Sequence, residues 1–299
     1  MTAVAPPAYF DAYDAVLRRW PAGTETVEVP SLYGTTRVNV LGPREARPLV
    51  LLHGGGATST VWAANAAALS RTHRVCAVDL VGDPGRSTLA PGQRLTGVGD
   101  LMAWLDGVLD HFVPGGDGGE GGQAVQADLC GHSYGAWIAL TYALHATGRV
   151  RRLALLDPTQ CFASFSPRYL LRALPLLLRP TAARARGLVG WETGGAALDP
   201  DWLELYARGT SDFPSARPVT GPRPSAARLR GLTAPLLVLL AGDSRAHDVR
   251  RVAAGARRAV PGAVVETLPG VSHHALPLHA PAHARLDERL TEFFGDDGR

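Results

Sequence analysis

The tightest constraint on this chain lies near its middle. A strand-compatible run, Ala124 to Cys130, meets Gly131-His132-Ser133-Tyr134-Gly135 and passes at once into the helix-compatible residues Ala136 to Leu140. A strand that becomes a helix within so few residues brings backbone against backbone, and bulky side chains beside the bend would collide. Glycine at 131 and 135 relieves that crowding. The serine between them stands exposed at a helix start, where unpaired N–H groups favour incoming negative charge. Ser133 is therefore the candidate nucleophile.

Such a bend needs a sheet to sit on, and the flanking sequence supplies one. Leu49 to Leu52 is a continuous apolar run, as a strand covered on both faces requires, and Val75 to Leu80 and Arg152 to Leu156 read the same way. Helical segments Val61–Leu69, Val98–Phe112 and the stretch from Ala136 separate them. Before this alternation, Ala8–Trp20 is an amphipathic helix, and Thr24–Val29 with Thr35–Leu41 form a hairpin around Tyr33-Gly34. After Pro158 the pattern stops, and residues 159–232 read as helices and loops: Tyr169–Leu178, Ala182–Trp191 and Trp202–Ala207. Alternation resumes with Ala234–Leu240, a helix Asp248–Val260, a strand Ala263–Leu268 and a last helix Ala282–Phe294, with Leu286, Leu290 and Phe293 on one face. The reading is one α/β core, residues 1–158 and 233–299, with residues 159–232 inserted as a helical cap.

Several classes are excluded or disfavoured. The chain has no lysine, which removes Schiff-base and P-loop chemistry. Net charge is only +3 and the arginines look scattered, so no nucleic-acid footprint is indicated. Pro114 to Gly122 is glycine-rich but lacks a phosphate-loop ending, and reads as a flexible surface insertion. No apolar run reaches membrane-span length, and Met1 to Pro7 lacks the basic start and apolar core of a signal peptide. Cys76, Cys130 and Cys161 show neither metal spacing nor a disulfide framework. A cytoplasmic protein with reduced thiols, no metal and no cofactor is expected.

A serine hydroxyl needs a base to take its proton. Pro269-Gly270-Val271-Ser272-His273-His274 follows the last strand, and His273 is the preferred base with His274 the runner-up. His73, His111, His145, His279 and His283 are expected in solvent, and His132 is expected to point away from the serine. The supporting acid is sought after the preceding strand, in Gly242-Asp243-Ser244-Arg245-Ala246-His247-Asp248. Asp248 is the first choice, Asp243 the second, and Asp157, at the neighbouring strand end, the third. Asp248 would equally suit a helix N-cap. His53-Gly54-Gly55-Gly56 leaves backbone N–H groups unshielded, so the amides of Gly55 and Tyr134 are the candidate oxyanion donors.

Together, His53-Gly-Gly-Gly56, Asp79-Leu-Val-Gly-Asp-Pro-Gly-Arg-Ser87, Gly131-His-Ser-Tyr-Gly135 and Leu268-Pro-Gly-Val-Ser-His273 resemble the α/β-hydrolase fold family over nearly the whole chain. The resemblance implies an eight-stranded, mostly parallel sheet, a helical cap over the strand ends and a Ser-His-acid triad. Many members carry the acid three residues after the strand-end glycine; that position here is Arg245. The resemblance further implies hydrolysis of a carboxylic ester, thioester or lactone; Leu170, Leu171, Leu174, Leu176 to Leu178, Trp191 and Trp202 of the cap offer an apolar lining for a small, partly apolar acyl substrate, although packing of the helices accounts for most of them. C–C bond hydrolysis or acyl transfer on the same residues is an alternative. A binding protein on a hydrolase scaffold is the alternative from another class.

Overall fold

The computed structural model describes residues 6–113, 126–213, 218–278 and 280–295. The chain opens with helix α1 (Pro7–Leu17), whose Tyr9, Tyr13 and Val16 recur at helical spacing and are buried. Strands β1 (Glu25–Ser31) and β2 (Gly34–Leu41) form the antiparallel hairpin, closed where Ser31 faces Gly34. β3 (Pro48–Leu52) and β4 (Arg74–Val78) flank a short 3-10 turn (Ser59–Trp62) that runs into α2 (Ala63–Leu69), so the single helix expected over 61–69 is split. Next come β5 (Thr88–Leu89), α3 (Val98–Phe112), β6 (Ala127–His132), α4 (Tyr134–His145) and β7 (Val150–Leu156). Four helices then intervene: α5 (Pro167–Leu178), α6 (Ala182–Glu192), α7 (Pro200–Asp212) and α8 (Ala226–Leu229). The chain finishes through β8 (Leu236–Ala241), α9 (Val249–Ala259), β9 (Val264–Leu268) and α10 (Ala280–Gly295).

The strands form one sheet in the order β1-β2-β4-β3-β6-β7-β8-β9, parallel from β4 to β9 and antiparallel at the β1 and β2 edge. The sheet has nine described strands rather than eight. The extra one, β5, is only two residues long and pairs with β2, too short to leave an alternation in the sequence.

Side chains of the central strands alternate between two cores, as a sheet covered on both faces demands. Val50, Leu52, Cys76, Val78, Leu153 and Leu155 pack with α3, α4 and α9. Leu49, Leu51, Val75, Ala77, Ala154 and Leu156 pack with α1, α2 and α10, and this second core continues into α6 and α7. In α10 the buried stripe is Leu286, Leu290 and Phe294, while Phe293 is half-buried, one position off the expected face.

His73 is not in solvent: it is buried, with its Nε2 3.3 Å from Asp128. Cys76, Cys130 and Cys161 are buried free thiols. Among the described residues no helix is long and apolar enough to cross a membrane. The Pro114–Gly122 loop and His279 lie outside the described residues.

Candidate active site

Ser133 sits between β6 and α4 with φ 53° and ψ −113°, a left-handed conformation that a serine adopts only under constraint. The constraint is backbone crowding. A Cβ on Gly131 would lie 2.3 Å from the Gly135 carbonyl oxygen, and one on Gly135 would lie 2.3 Å from that of Leu52. The bend therefore closes only on glycine, and it lifts the serine hydroxyl clear of the sheet at the start of α4.

The loop after β9 carries His273 across to it. His273 Nε2 lies 2.8 Å from Ser133 Oγ, and Nδ1 lies 2.5 Å from Asp157 Oδ2. A carboxylate only accepts, so Nδ1 carries the proton and Nε2 is left as acceptor for the serine hydroxyl. His273 is buried. Burial opposes its charging, but the hydrogen bond and negative charge of Asp157 outweigh burial and raise its pKa above the ordinary value.

The acid beside His273 is thus Asp157, not Asp248 or Asp243. Asp248 is exposed, caps α9 and accepts from the Arg251 amide at 3.0 Å. Asp243 is also exposed, and its amide bonds the Val271 carbonyl. Arg245 points away, stacking over Trp191 at 5.3 Å. Asp157 reaches the ring because β7 and β8 are neighbours. Just past β7 the backbone turns to φ 39°, swinging the carboxylate under the His273 loop.

All the accepting capacity of Asp157 is used. Oδ1 takes the Ala241 amide at 3.1 Å and His247 Nε2 at 3.0 Å; Oδ2 takes Ser244 Oγ at 2.7 Å and His273 Nδ1 at 2.5 Å. Burial alone would raise its pKa, yet these donors, His247 foremost, hold it far below the usual carboxylate range. Asp157 therefore stays ionised.

Two residues at this centre have no counterpart among the sequence candidates. One is His247. The other is Glu192, the last residue of α6, whose side chain accepts from the His273 amide (2.9 Å), the His274 amide (3.1 Å) and His274 Nδ1 (3.0 Å). Glu192 is buried, which would raise its pKa, but His274 and these amides lower it to about 2. His274, the runner-up base, is occupied by this carboxylate. His132 bonds the His273 carbonyl at 3.0 Å through Nε2 and makes no bond to the serine. Burial and the neighbouring His273 push its pKa down to about 3, so it is neutral and donates from Nε2.

Facing the serine are the glycines after β3. His53 holds their backbone: its Nε2 accepts from the Leu80 amide at 3.0 Å and its Nδ1 donates to the Gly54 carbonyl at 2.8 Å. The Gly56 amide is taken by Asp83 at 3.0 Å. The amides of Gly55 and Tyr134 bond no acceptor among the described residues. Asp83 is buried, with no cation paired to it among the described residues, and burial pushes its pKa up to about 7. The Asp79–Ser87 segment is a strut: Asp79 accepts from Ser59, Tyr13 and the Arg86 amide, and Ser87 Oγ returns to the Asp79 carbonyl at 2.7 Å.

The serine opens into a cavity of about 460 Å³. Tyr134, Trp137, Tyr169, Leu176, Trp202 and Tyr206 are among its walls, and the described lining carries no arginine or carboxylate. Among the described residues, no group of three His, Cys, Asp or Glu side chains is placed to hold a metal ion.

A mostly parallel sheet that presents a serine on a strand–helix bend to a histidine late in the chain defines the α/β-hydrolase class. The model of the Alpha/beta hydrolase family matches residues 49–287, and the chain belongs to that family. Carboxylesterase YbfK of Bacillus subtilis is 28% identical over 293 residues, covering 95% of this chain and 93% of the relative. The crystal structure of that esterase, CesB (YbfK), superposes with a TM-score of 0.83 at 26% identity, over 96% of this chain and 97% of that one. Naproxen esterase (carboxylesterase NP) from Bacillus subtilis gives the same TM-score of 0.83 at 26% identity, over 96% of each chain. A 2-hydroxy-6-oxo-2,4-heptadienoate hydrolase from Pseudomonas putida is 34% identical, but over only 128 residues, 42% of each chain.

Proposed function

We propose that this protein is a serine carboxylesterase that works through an acyl-enzyme on Ser133. The observation that carries the reading is the continuous relay from Asp157 through His273 to the Ser133 hydroxyl, at 2.5 and 2.8 Å. Ser133 Oγ attacks the ester carbonyl while His273 Nε2 takes its proton. The amides of Gly55 and Tyr134 bind the oxyanion that forms. His273 then gives its proton to the leaving alcohol, which departs and leaves the acyl group on Ser133. A water, deprotonated by the same nitrogen, attacks the acyl-enzyme and releases the acid. Asp157 keeps the imidazole in the required tautomer and stabilises its cation.

Residues 159–232 act as a cap over the strand ends: their helices supply Tyr169, Leu176, Trp202 and Tyr206 to the cavity wall. The apolar wall suits an uncharged, partly apolar small-molecule ester. A thioester or lactone would use the same steps. Carbon–carbon hydrolysis ranks lower, because the substrate named for the Pseudomonas relative is a carboxylate and the described lining offers no arginine to meet it. The buried free thiols fit a reducing, cytoplasmic setting.

Labelling with a fluorophosphonate, alongside turnover of p-nitrophenyl esters of increasing acyl length, tests the reading. Stoichiometric labelling that disappears in Ser133→Ala is expected. His273→Ala should lower turnover on the order of a millionfold, as loss of a triad base does elsewhere. A folded protein inert to both reagents would overturn the esterase reading in favour of a binding protein.

A further inference from the structure

Helix α5 breaks the usual rule for a surface helix. Among the described residues seven large apolar side chains are exposed, and five of them, Leu170, Leu171, Leu174, Leu177 and Leu178, lie on this one helix. They recur at i, i+1, i+4, i+7 and i+8, which places them along a single face. Leu171, Leu177 and Leu178 are each more than 70% exposed. Ala173 and Leu176 on the other side of α5 line the cavity above Ser133, and Leu170 and Leu177 line it too, so the exposed stripe runs to the edge of the cavity. A contiguous apolar face left in water on a soluble chain marks an interaction surface.

Its charge says what kind. From Pro158 to Trp191 the sequence holds five arginines and no acidic residue. The scatter of arginines over the whole chain hides this local run. Arg186 is neutralised by Glu204. The other four are exposed and have no carboxylate partner among the described residues. Arg168 and Arg172 lie over Trp191 at 5.7 and 5.6 Å, where Arg245 joins them. Arg184 donates to the Pro175 and Arg179 carbonyls at the end of α5. The acids flanking the run are both engaged, Asp157 and Glu192 being buried against His273. An apolar stripe on a segment whose charged side chains are all arginines matches a surface that is apolar within and anionic outside.

We propose that α5 docks this protein onto an anionic lipid bilayer, with the leucines entering the headgroup–acyl boundary and the arginines meeting lipid phosphates. Its 12 residues give a helix about 18 Å long, too short to span the hydrocarbon, so it lies in the plane of the surface. Docking would bring the wall of the cavity against the lipid. The inference does not depend on the esterase reading.

Co-sedimentation with vesicles of phosphatidylcholine containing phosphatidylglycerol, against vesicles of phosphatidylcholine alone, tests it. Binding to the anionic vesicles is expected, roughly tenfold or more above the neutral ones, and ~0.5 M salt should release it. The double variant Leu171→Glu, Leu178→Glu should lose binding and keep the wild-type circular-dichroism spectrum and Tm, since both side chains stand in solvent. Should that variant misfold, Arg168→Gln and Arg172→Gln serve instead, each weakening binding roughly fivefold. No binding to anionic vesicles, or binding indifferent to salt, would overturn the proposal. So would a wild-type dimer in light scattering that the same leucine substitutions split, which would make a second copy the partner of this face.

Discussion

Two buried carboxylates grip the same histidine from two different parts of the chain. Asp157 comes from the sheet, at the end of β7, and takes the His273 ring at Nδ1. Glu192 comes from the inserted helices, at the end of α6, and takes the His273 backbone amide. Burial would raise the pKa of both, and donors around each drive it down instead. Their electrostatics are alike and their chemistry is not. In the proposed mechanism a carboxylate on the ring nitrogen is in line with the proton that Ser133 gives up. A carboxylate on the amide fixes where the ring sits, and its charge raises the ring's pKa less than Asp157 does. Asp83 completes the contrast, since burial without a matching cation raises its pKa to about 7.

The largest effect that separates the two belongs to Asp157→Asn. The amide can present N–H to Nδ1 and favour the wrong tautomer, so turnover should fall by about four orders of magnitude with the fold intact. Stopped assays on p-nitrophenyl esters and a thermal melt together check this. A variant within tenfold of wild type would return the acid's role to another residue.

The pH profile sharpens the same point. In the proposed mechanism His273 must be neutral to accept a proton, and its pKa in the folded protein is raised. Activity should therefore fall as pH drops through a value above the ordinary histidine figure of about 6.5. In Asp157→Asn the burial remains and the largest opposing charge is gone, with only that of Glu192 left, so the acid limb of the residual activity should move to lower pH. An unmoved limb would mean that the observed titration is not that of His273.

Glu192→Gln should act more weakly and differently. Glutamine has one oxygen where the carboxylate has two, so the His273 and His274 amides cannot both be satisfied. Turnover should drop roughly tenfold to a hundredfold, mostly in kcat, because a misplacement of about 1 Å is enough for that. The folded pKa of Glu192 lies near 2, below its unfolded value of 4.5. Its contribution to stability, about 3 kcal/mol, is thus present above pH about 4.5 and lost as pH falls toward 2. The difference in Tm between wild type and variant should shrink over that window. A loss of activity as large as that of Asp157→Asn would erase the distinction between ring and backbone.

What the sequence revealed of this centre follows from how local each requirement is. The serine bend was legible because glycines at 131 and 135 answer a steric demand within five residues. His273 was legible by its place after the last strand. Asp157 ranked third because its use depends on β7 and β8 lying side by side and on a backbone turn at φ 39°, neither of which spacing reveals. Glu192 left no local signal: it meets His273 across 81 residues, from a segment whose pattern showed helices and not where they point. The mostly parallel sheet was visible in the alternation of strands and helices, whereas β5, at two residues, was too short to register.

The smallest effect is reserved for Asp248, whose place shows why a plausible acid after a strand need not be a catalytic one. Its carboxylate accepts from the Arg251 amide at 3.0 Å and so satisfies one of the unpaired N–H groups at the start of α9. It is exposed, and the acceptor that His273 needs is already Asp157. Asp248→Ala removes a cap and nothing from the relay. Stability should fall by about 1 kcal/mol, read as a lower Tm, while kcat/KM stays at the wild-type value. A tenfold fall in kcat/KM at unchanged fold would show that the loop after β8 rearranges during turnover to deliver a second acid, and the contrast between Asp157 and Glu192 would then describe only the resting enzyme.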